Sequence, residues 1–448
     1  MATVKQTIED AWRLLRGRVP GQLVIQITDQ CNARCPQCGM RVTEAFSRSR
    51  LRTEAVYEMI DAAAERGVRA ISFTGGEPFL FKSELIRMIR HAGAAGIPFI
   101  RTGTNGFMFA GFDRPGFRDR VCRLADALAD TPLRNLWISI DSSVPRIHET
   151  MRGFPGVIRG IERALPIFHD RGIFPAANLG INRNIAGPGA LEAAEDADPK
   201  AIVEAFRSAF RRFYGFVRDL GFTTVNACYP MSVDDDRTET KGEGTAGLSA
   251  VYAATTTDRV VRFSRTEKAA MFQALLETIP EFRGQIRIFT PMSAVHALWR
   301  AYSGTGDPGY PCRGGIDFFF IDARDGTVYP CGYRGDEPLG SMTALDPSVL
   351  DPGSLCYRCD WECFRDPTEL IGPLIDGLRA PWRLAARWRR HPGALARWVS
   401  DLRYYRACDF FDGRRPPDPR RLAAFDRTQA EDDHHGSIWR TRIAESNG

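Results

Sequence analysis

The chain has no run of about 18 apolar residues, so no segment is long enough to cross a bilayer as a helix. Its opening stretch, MATVKQTIEDAWRLLRG, lacks the apolar core that a secretion signal needs. Neither sign of charge dominates: 60 Lys and Arg against 55 Asp and Glu leave a net +5 over 448 residues. That balance excludes nucleic acid as the default partner, because phosphate binding needs a concentrated basic surface. There is no internal repeat, and histidine is scarce at seven residues. With 44% hydrophobic and 26% charged residues, a disordered or collagen-like chain is excluded and a sizeable core is provided for. The length predicts one large domain with smaller ones attached.

What the chain does have is cysteine, unevenly placed. Cys31, Cys35 and Cys38 lie together, five more lie between Cys312 and Cys363, and Cys122, Cys228 and Cys408 stand alone. A reducing cytoplasm is the expected compartment, and there clustered thiols read as metal ligands rather than disulfides.

From about residue 20 to 230, short apolar runs alternate with amphipathic stretches. The predicted strands are 23–28, 70–73, 98–103, 136–140, 176–181 and 223–227, with helices between them such as 53–67 and 83–96. Both of those helical segments end at glycine, an ordinary stop. Six such units favour an α/β barrel or partial barrel over an open sheet, with functional loops after the strands' C-terminal ends. The stretch 232–257 is small, polar and aperiodic and reads as a long loop or a disordered segment. RTEKAAMFQALLETI (265–279) resumes a helix, and 317–329 carries a hairpin signal with Asp325-Gly326 at its turn. The region 310–366 is too irregular to stand on apolar packing alone, and bound metal would explain how it holds together.

The first strand runs into TDQCNARCPQCGM, which puts Cys31, Cys35 and Cys38 on one compact loop. Only three ligands are local, whereas structural zinc takes a fourth Cys or His. An iron–sulfur cube with one uncovered iron therefore fits better than zinc with a remote ligand or free thiols. After the second strand comes TGGEPFL, where Gly75 and Gly76 permit close backbone approach and Glu77 can accept from an amine.

Cys31-x3-Cys35-x2-Cys38 followed by Gly75-Gly76-Glu77-Pro78 resembles the radical S-adenosylmethionine (radical SAM) superfamily, over roughly residues 20–230. The resemblance implies that the three cysteines hold a 4Fe-4S cluster whose open iron is chelated by SAM. One electron then cleaves SAM to methionine and a 5′-deoxyadenosyl radical, which takes hydrogen from the substrate. It implies that Gly75, Gly76 and Glu77 hold the methionine amino group. Thr104-Asn105-Gly106 resembles the family's third-strand segment, and SIDSSVPRIHETMRG its fourth, with Ser142 in place of the usual glycine. Ser139 and Asp141 become candidates for SAM contacts, Arg152 for pairing with its carboxylate and Asn182 for reaching its ribose. For Arg152 a surface ion pair, and for Asn182 ordinary strand-end capping, are the alternatives, and His148 reads as structural.

Cys312, Cys331 and then Cys356-x2-Cys359-x3-Cys363 resemble the auxiliary-cluster domain called SPASM, or its shortened form, twitch. The full pattern has seven cysteines for two clusters. This segment has five, so at least one auxiliary 4Fe-4S cluster is expected, without the spacing deciding which four thiols bind it. The implied fold class is a partial (β/α)6 TIM-like barrel with a small cysteine-rich auxiliary-cluster domain. Its expected parts are a helical lead-in (1–20), the barrel (21–300), the iron–sulfur domain (301–370), and a basic helical extension with a frayed tail containing His434 and His435 (371–448).

The implied reaction is hydrogen abstraction from a small substrate such as a sugar, cyclitol or lipid-like molecule, with net oxidation assisted by the auxiliary cluster. A flavodoxin- or ferredoxin-type protein would supply electrons. The alternatives are redox-neutral epimerisation with Cys228 returning the hydrogen, modification of a ribosomally made peptide, and a non-catalytic metal scaffold. Only about 20 residues precede the first strand, which leans toward a small substrate. The segment 379–399 is basic, with Trp382, Trp388 and Trp398 interleaved and Pro392-Gly393 dividing it. It reads either as a peripheral membrane contact or as an arginine face whose tryptophans dock on the protein.

Overall fold

The computed structural model describes residues 12–38, 47–191, 198–230, 259–306, 308–346, 350, 356–357 and 359–426. The loop expected at 232–257 and the tail with His434 and His435 lie outside the described residues.

Six strand–helix units come first: β1 (Gly21–Thr28), α1 (Thr53–Glu65), β2 (Val68–Gly75), α2 (Lys82–Ala94), β3 (Phe99–Thr104), α3 (Phe117–Ala129) and β4 (Asn135–Ser139). Then follow α4 (Pro145–Arg152), α5 (Val157–His169), β5 (Ala176–Gly180), α6 (Pro199–Asp219) and β6 (Thr224–Cys228). All six predicted strands are present, displaced by at most two residues at either end. Next come α7 (Arg265–Phe282), β7 (Arg287–Ile288), α8 (Met292–Ser303), β8 (Phe318–Ile321) and β9 (Val328–Tyr329). The C-terminal helices are α9 (Glu362–Arg379), α10 (Pro381–Arg390), α11 (Pro392–Ala407) and α12 (Pro419–Ala423).

The strands form one nine-stranded sheet in the order β7-β6-β5-β4-β3-β2-β1-β8-β9, parallel except for the β8–β9 pair. The sheet does not close, so the architecture is a partial barrel. The expected hairpin is present, with Phe320 opposite Tyr329 and Ile321 opposite Val328. Its connection is longer than a two-residue turn: Asp325 and Gly326 sit within the 322–327 loop, where Gly326 has φ +80°. β8 also pairs in parallel with β1, from Gln22–Phe318 to Ile25–Ile321. The cysteine-rich region thus continues the barrel's own sheet.

The alternation along each strand decides which face is core. Leu23, Ile25 and Ile27 of β1 and Ile71 and Phe73 of β2 are buried in the main hydrophobic core. The other face carries Gln22 and Gln26 of β1, Ser72 and Thr74 of β2, Asn178 of β5 and Asn226 of β6. Burying so many amides and hydroxyls as packed core would carry a desolvation cost, and this face instead surrounds a cavity. Gly103 helps shape it: a Cβ there would stand 1.8 Å from the Trp137 indole nitrogen, so only glycine lets that ring lie across the barrel.

In the basic segment, α10 and α11 meet at His391 and Pro392. Trp388 and Trp398 pack together with ring centroids 6.4 Å apart, and Trp398 Nε1 donates to the Leu370 carbonyl at 2.9 Å. Trp382 is 67% exposed. Two of the three tryptophans therefore dock on the protein. No helix among the described residues is long and apolar enough to cross a membrane.

Candidate active site

The three-cysteine loop leaves the C-terminal end of β1, with Cys35 buried and Cys31 and Cys38 exposed. It is held against the end of β2 by backbone: Gly76 N–H donates to the Thr28 carbonyl at 2.7 Å and Glu77 N–H to the Gln30 carbonyl at 2.8 Å. A Cβ on Gly75 would come within 2.4 Å of the Thr28 oxygen, and one on Gly76 within 2.2 Å of the Gln30 oxygen. The two glycines are what let the cysteine loop seat on β2. Glu77 is buried, and its carboxylate accepts from Phe79 N–H at 3.0 Å and from Asn105 N–H at 2.6 Å. Burial raises its pKa to about 7 against those hydrogen bonds. Glu77 thus clamps the ends of β2 and β3 beside the thiols, and Asn105 Nδ2 reaches Asn32 Oδ1 at 2.9 Å and the Cys31 sulfur at 3.8 Å.

A second buried network lies past β4. Asp141 is fully buried and receives Arg152 as a fork, Nε at 2.5 Å and Nη2 at 2.8 Å, as well as Gln37 Nε2 at 2.9 Å. Burial works against the Arg152 charge, but Asp141, Cys35 and Cys38 more than offset it and hold it above its ordinary pKa. Arg152 is therefore a buried partner of Asp141 and not a surface ion pair. Its charge also favours thiolate at Cys35, but burial outweighs it and leaves that thiol's pKa pushed up to about 11. His148 Nδ1 accepts from the Asp141 N–H at 3.1 Å, and burial lowers its pKa to about 4, so it is neutral near pH 7. Asn182 spends its amide on the Asp141 and Gly180 carbonyls at 2.8 and 2.7 Å and accepts from Asn184 N–H at 2.8 Å, which is strand-end capping. Ser139 ends β4 on the face it shares with Asn135 and Trp137.

This network has a measurable consequence. Asp141→Asn leaves the Arg152 charge buried without its carboxylate, and breaking such a pair costs roughly 3–5 kcal/mol. Chemical denaturation should show a loss near the lower figure. A loss below about 1 kcal/mol, the level of an exposed pair, would mean that Arg152 is compensated elsewhere.

Below this rim lies a cavity of about 520 Å³, with Gln37, Cys38 and Gly75 among the residues at its mouth. Cys228, at the end of β6, lines it, as do Trp361, Glu362 and Cys363 from the start of α9. The Cys228 thiol donates to Asn178 Oδ1 at 3.3 Å, and the Cys363 thiol to Glu362 Oε1 at 3.6 Å. Burial, reinforced by Glu362, raises the pKa of both thiols well above the usual value and keeps them protonated. Burial likewise raises Glu362 to about 7, against the hydrogen bond its Oε1 accepts from the Cys363 thiol.

The other C-terminal thiols form a separate group. Cys331 is acted on by Cys312 and Cys356, and Cys359 by Cys331 and Cys312. Cys312 N–H donates to the Cys356 carbonyl at 2.8 Å, and Gly314 N–H points at the Cys312 sulfur at 3.4 Å. The groups acting on Cys363 are instead Glu362, Arg101 and Asp366. Cys408 is buried with Tyr404 and Phe411, away from either group. Sequence reading missed Gln37, Glu362 and Arg101. Alternation along β3 was the signal available for Arg101, whereas Glu362 had none.

Among the described residues no three Cys, His, Asp or Glu side chains are drawn together as a single ion would need. The fit to an iron–sulfur group rests on the donors: three thiols on one loop with Arg152 balancing negative charge, and four more with backbone N–H groups directed at sulfur.

A partial barrel carries a three-thiol loop at its first strand end, with a cavity beneath. Residues 25–190 match the Radical SAM superfamily, and the chain carries a radical SAM domain. The cofactors that go with this domain are a 4Fe-4S cluster and SAM. Similar curated proteins are the GTP 3′,8-cyclases of Alkaliphilus metalliredigens and Pelotomaculum thermopropionicum. The first is 31% identical over 146 residues, covering 32% of this chain and 42% of the relative. The second is 33% identical over 163 residues, covering 34% and 44%. The chain thus spans less than half the length of the curated relatives it matches. Streptococcus suis SuiB bound to S-adenosylmethionine shares the fold at 13% identity and a TM-score of 0.50, covering 84% of this chain and 72% of SuiB.

Proposed function

We propose that this chain is a radical SAM enzyme that abstracts hydrogen from a small molecule held in the barrel cavity, in a net oxidation. The observation that carries this reading is the cavity of about 520 Å³, polar on its strand face and opening beside Cys38 and Gly75. Bound at Cys31, Cys35 and Cys38, a 4Fe-4S cluster with SAM would supply one-electron cleavage and a 5′-deoxyadenosyl radical. Gly75, Gly76 and Glu77 shape the rim for the SAM amino group, with Ser139 facing inward beside them. Asp141, Arg152 and Asn182 act one step back: they brace the loop through Gln37 and set its charge. Cys312, Cys331, Cys356 and Cys359 would hold an auxiliary 4Fe-4S cluster in a SPASM- or twitch-like region at 301–370, which would accept an electron. The barrel would span 21–300, and the extension that begins at 371 lends Phe410, Phe411 and Asp412 to the cavity lining. A flavodoxin- or ferredoxin-type protein is the proposed electron donor.

The test is anaerobic reconstitution, reduction with dithionite and measurement of 5′-deoxyadenosine. Zinc in place of iron, with no SAM cleavage, would sink the enzyme reading.

One observation favours a second outcome. Cys228 faces the cavity as a protonated thiol, hydrogen-bonded to Asn178, where it can return a hydrogen atom to a substrate radical, the thiyl left behind taking one electron from the proposed electron donor and a proton from solvent. In deuterated water, substrate-free turnover should then place solvent deuterium in 5′-deoxyadenosine, and Cys228→Ala and Cys228→Ser should each lower that label several-fold while cleavage continues. An unchanged label would leave oxidation as the outcome.

A further inference from the structure

The inner face of β3 carries Arg101, whose cross-strand neighbours are Ser72 on β2 and Asn135 on β4, both neutral. Its Nε donates to Ser72 Oγ at 3.1 Å. The ionisable groups acting on it are Cys363 and Tyr405, and no carboxylate among the described residues does so. The cavity's other arginine is different: Arg134 is paired with Asp412 at 2.8 Å. A guanidinium turned into a half-closed cavity without a counter-charge is costly unless something that binds there provides one.

A second observation comes from another wall of the cavity. Glu362 is only 5% exposed, yet its Oε2 is buried with no hydrogen-bond partner among the described residues. The Asn226 Oδ1 lining the same space is in the same state. An unmet cation and unmet acceptors around one chamber describe a ligand by its complement. The ligand is negative where it meets Arg101 and carries hydroxyl or amino hydrogens elsewhere.

We propose that Arg101 anchors an oxyanion of the substrate, a carboxylate or a phosphate, so that this enzyme acts on a small hydroxylated or aminated anion and not on a neutral or lipid-like molecule. This rests on the cavity being the substrate chamber. Arg101 sits in mid-strand, below the rim formed by Glu77 and Asn105, so an anion held there leaves the rest of the molecule pointing up toward the SAM side. The planar fork of arginine suits both oxyanions, since each can accept two parallel N–H donors.

The experiment uses the full-length reconstituted protein, titrated with sodium phosphate or sodium acetate against sodium chloride of matched ionic strength. Thermal midpoint and tryptophan fluorescence are read together, because Trp137 and Trp361 line the cavity. One of the two anions should give a saturable response: phosphate points to phosphorylated substrates and acetate to carboxylates. Arg101→Gln should weaken that response at least tenfold, and Arg101→Lys should weaken it less. Without added anion, Arg101→Gln should melt no lower than the parent, since it removes an uncompensated charge, whereas a purely structural arginine would leave a less stable protein. No saturable response in the parent, an equal response in Arg101→Gln, or a lowered anion-free midpoint would each overturn the proposal. Substrate-free 5′-deoxyadenosine production is assayed on the same parent preparation. A parent that binds the anion but never cleaves SAM would fail the enzyme reading while leaving the Arg101 site in place.

Discussion

Replacing Cys31, Cys35 and Cys38 together with alanine is expected to abolish SAM cleavage and to leave iron bound in the 310–366 region. The rim thiols and the four-thiol group lie on different elements, the loop after β1 and the segments around β8, β9 and α9. Cluster loss at the rim should therefore not propagate. The rim network should survive as well, since Glu77 is satisfied by backbone N–H groups and Asp141 by Arg152. Iron and sulfide counts with the 5′-deoxyadenosine assay measure both halves. Parental rates of cleavage in the triple variant would remove these cysteines from the site.

The second large effect separates four thiols from the fifth. Single alanine replacements of Cys312, Cys331, Cys356 or Cys359 should each lower auxiliary iron and destabilise the C-terminal region. Metal binding contributes directly to folding where loops are long and apolar packing is thin. Around these thiols that packing is a small cluster in which Phe318, Phe320, Tyr333, Trp361 and Phe364 join Val19 and Val24. Cys363→Ala should keep the auxiliary iron, because Cys363 lies against Glu362 and Arg101 on the cavity side. Variants are compared by iron content and by thermal midpoint before and after chelation, where the four should lose most of the chelator-sensitive stability. If Cys363→Ala lost iron as fully as Cys359→Ala, the division would be wrong.

The strands were legible because their pattern is local. Short apolar runs set between amphipathic, glycine-ended helical stretches identify β1 to β6 wherever the rest of the chain goes. The cysteine spacing was legible for the same reason: ligands three and four residues apart must share a loop. The hairpin at 317–329 was found, but its pairing with β1 was not, because parallel pairing joins residues about 300 positions apart and leaves no mark on either segment alone.

The sequence by itself determined the α/β class, the three-thiol loop, the GGE rim and the presence of a second thiol group. It could not say that Arg152 belongs to Asp141, that Asn182 caps a strand, or that Cys363 parts from its neighbours to join Cys228 and Glu362. Nor could it show that Arg101 faces the cavity with no carboxylate among the described residues to meet it. Each of these is a contact between side chains brought together only by the curvature of the sheet and the docking of α9. Their energies depend on burial and on partners across the fold, so they exist only once the barrel has formed.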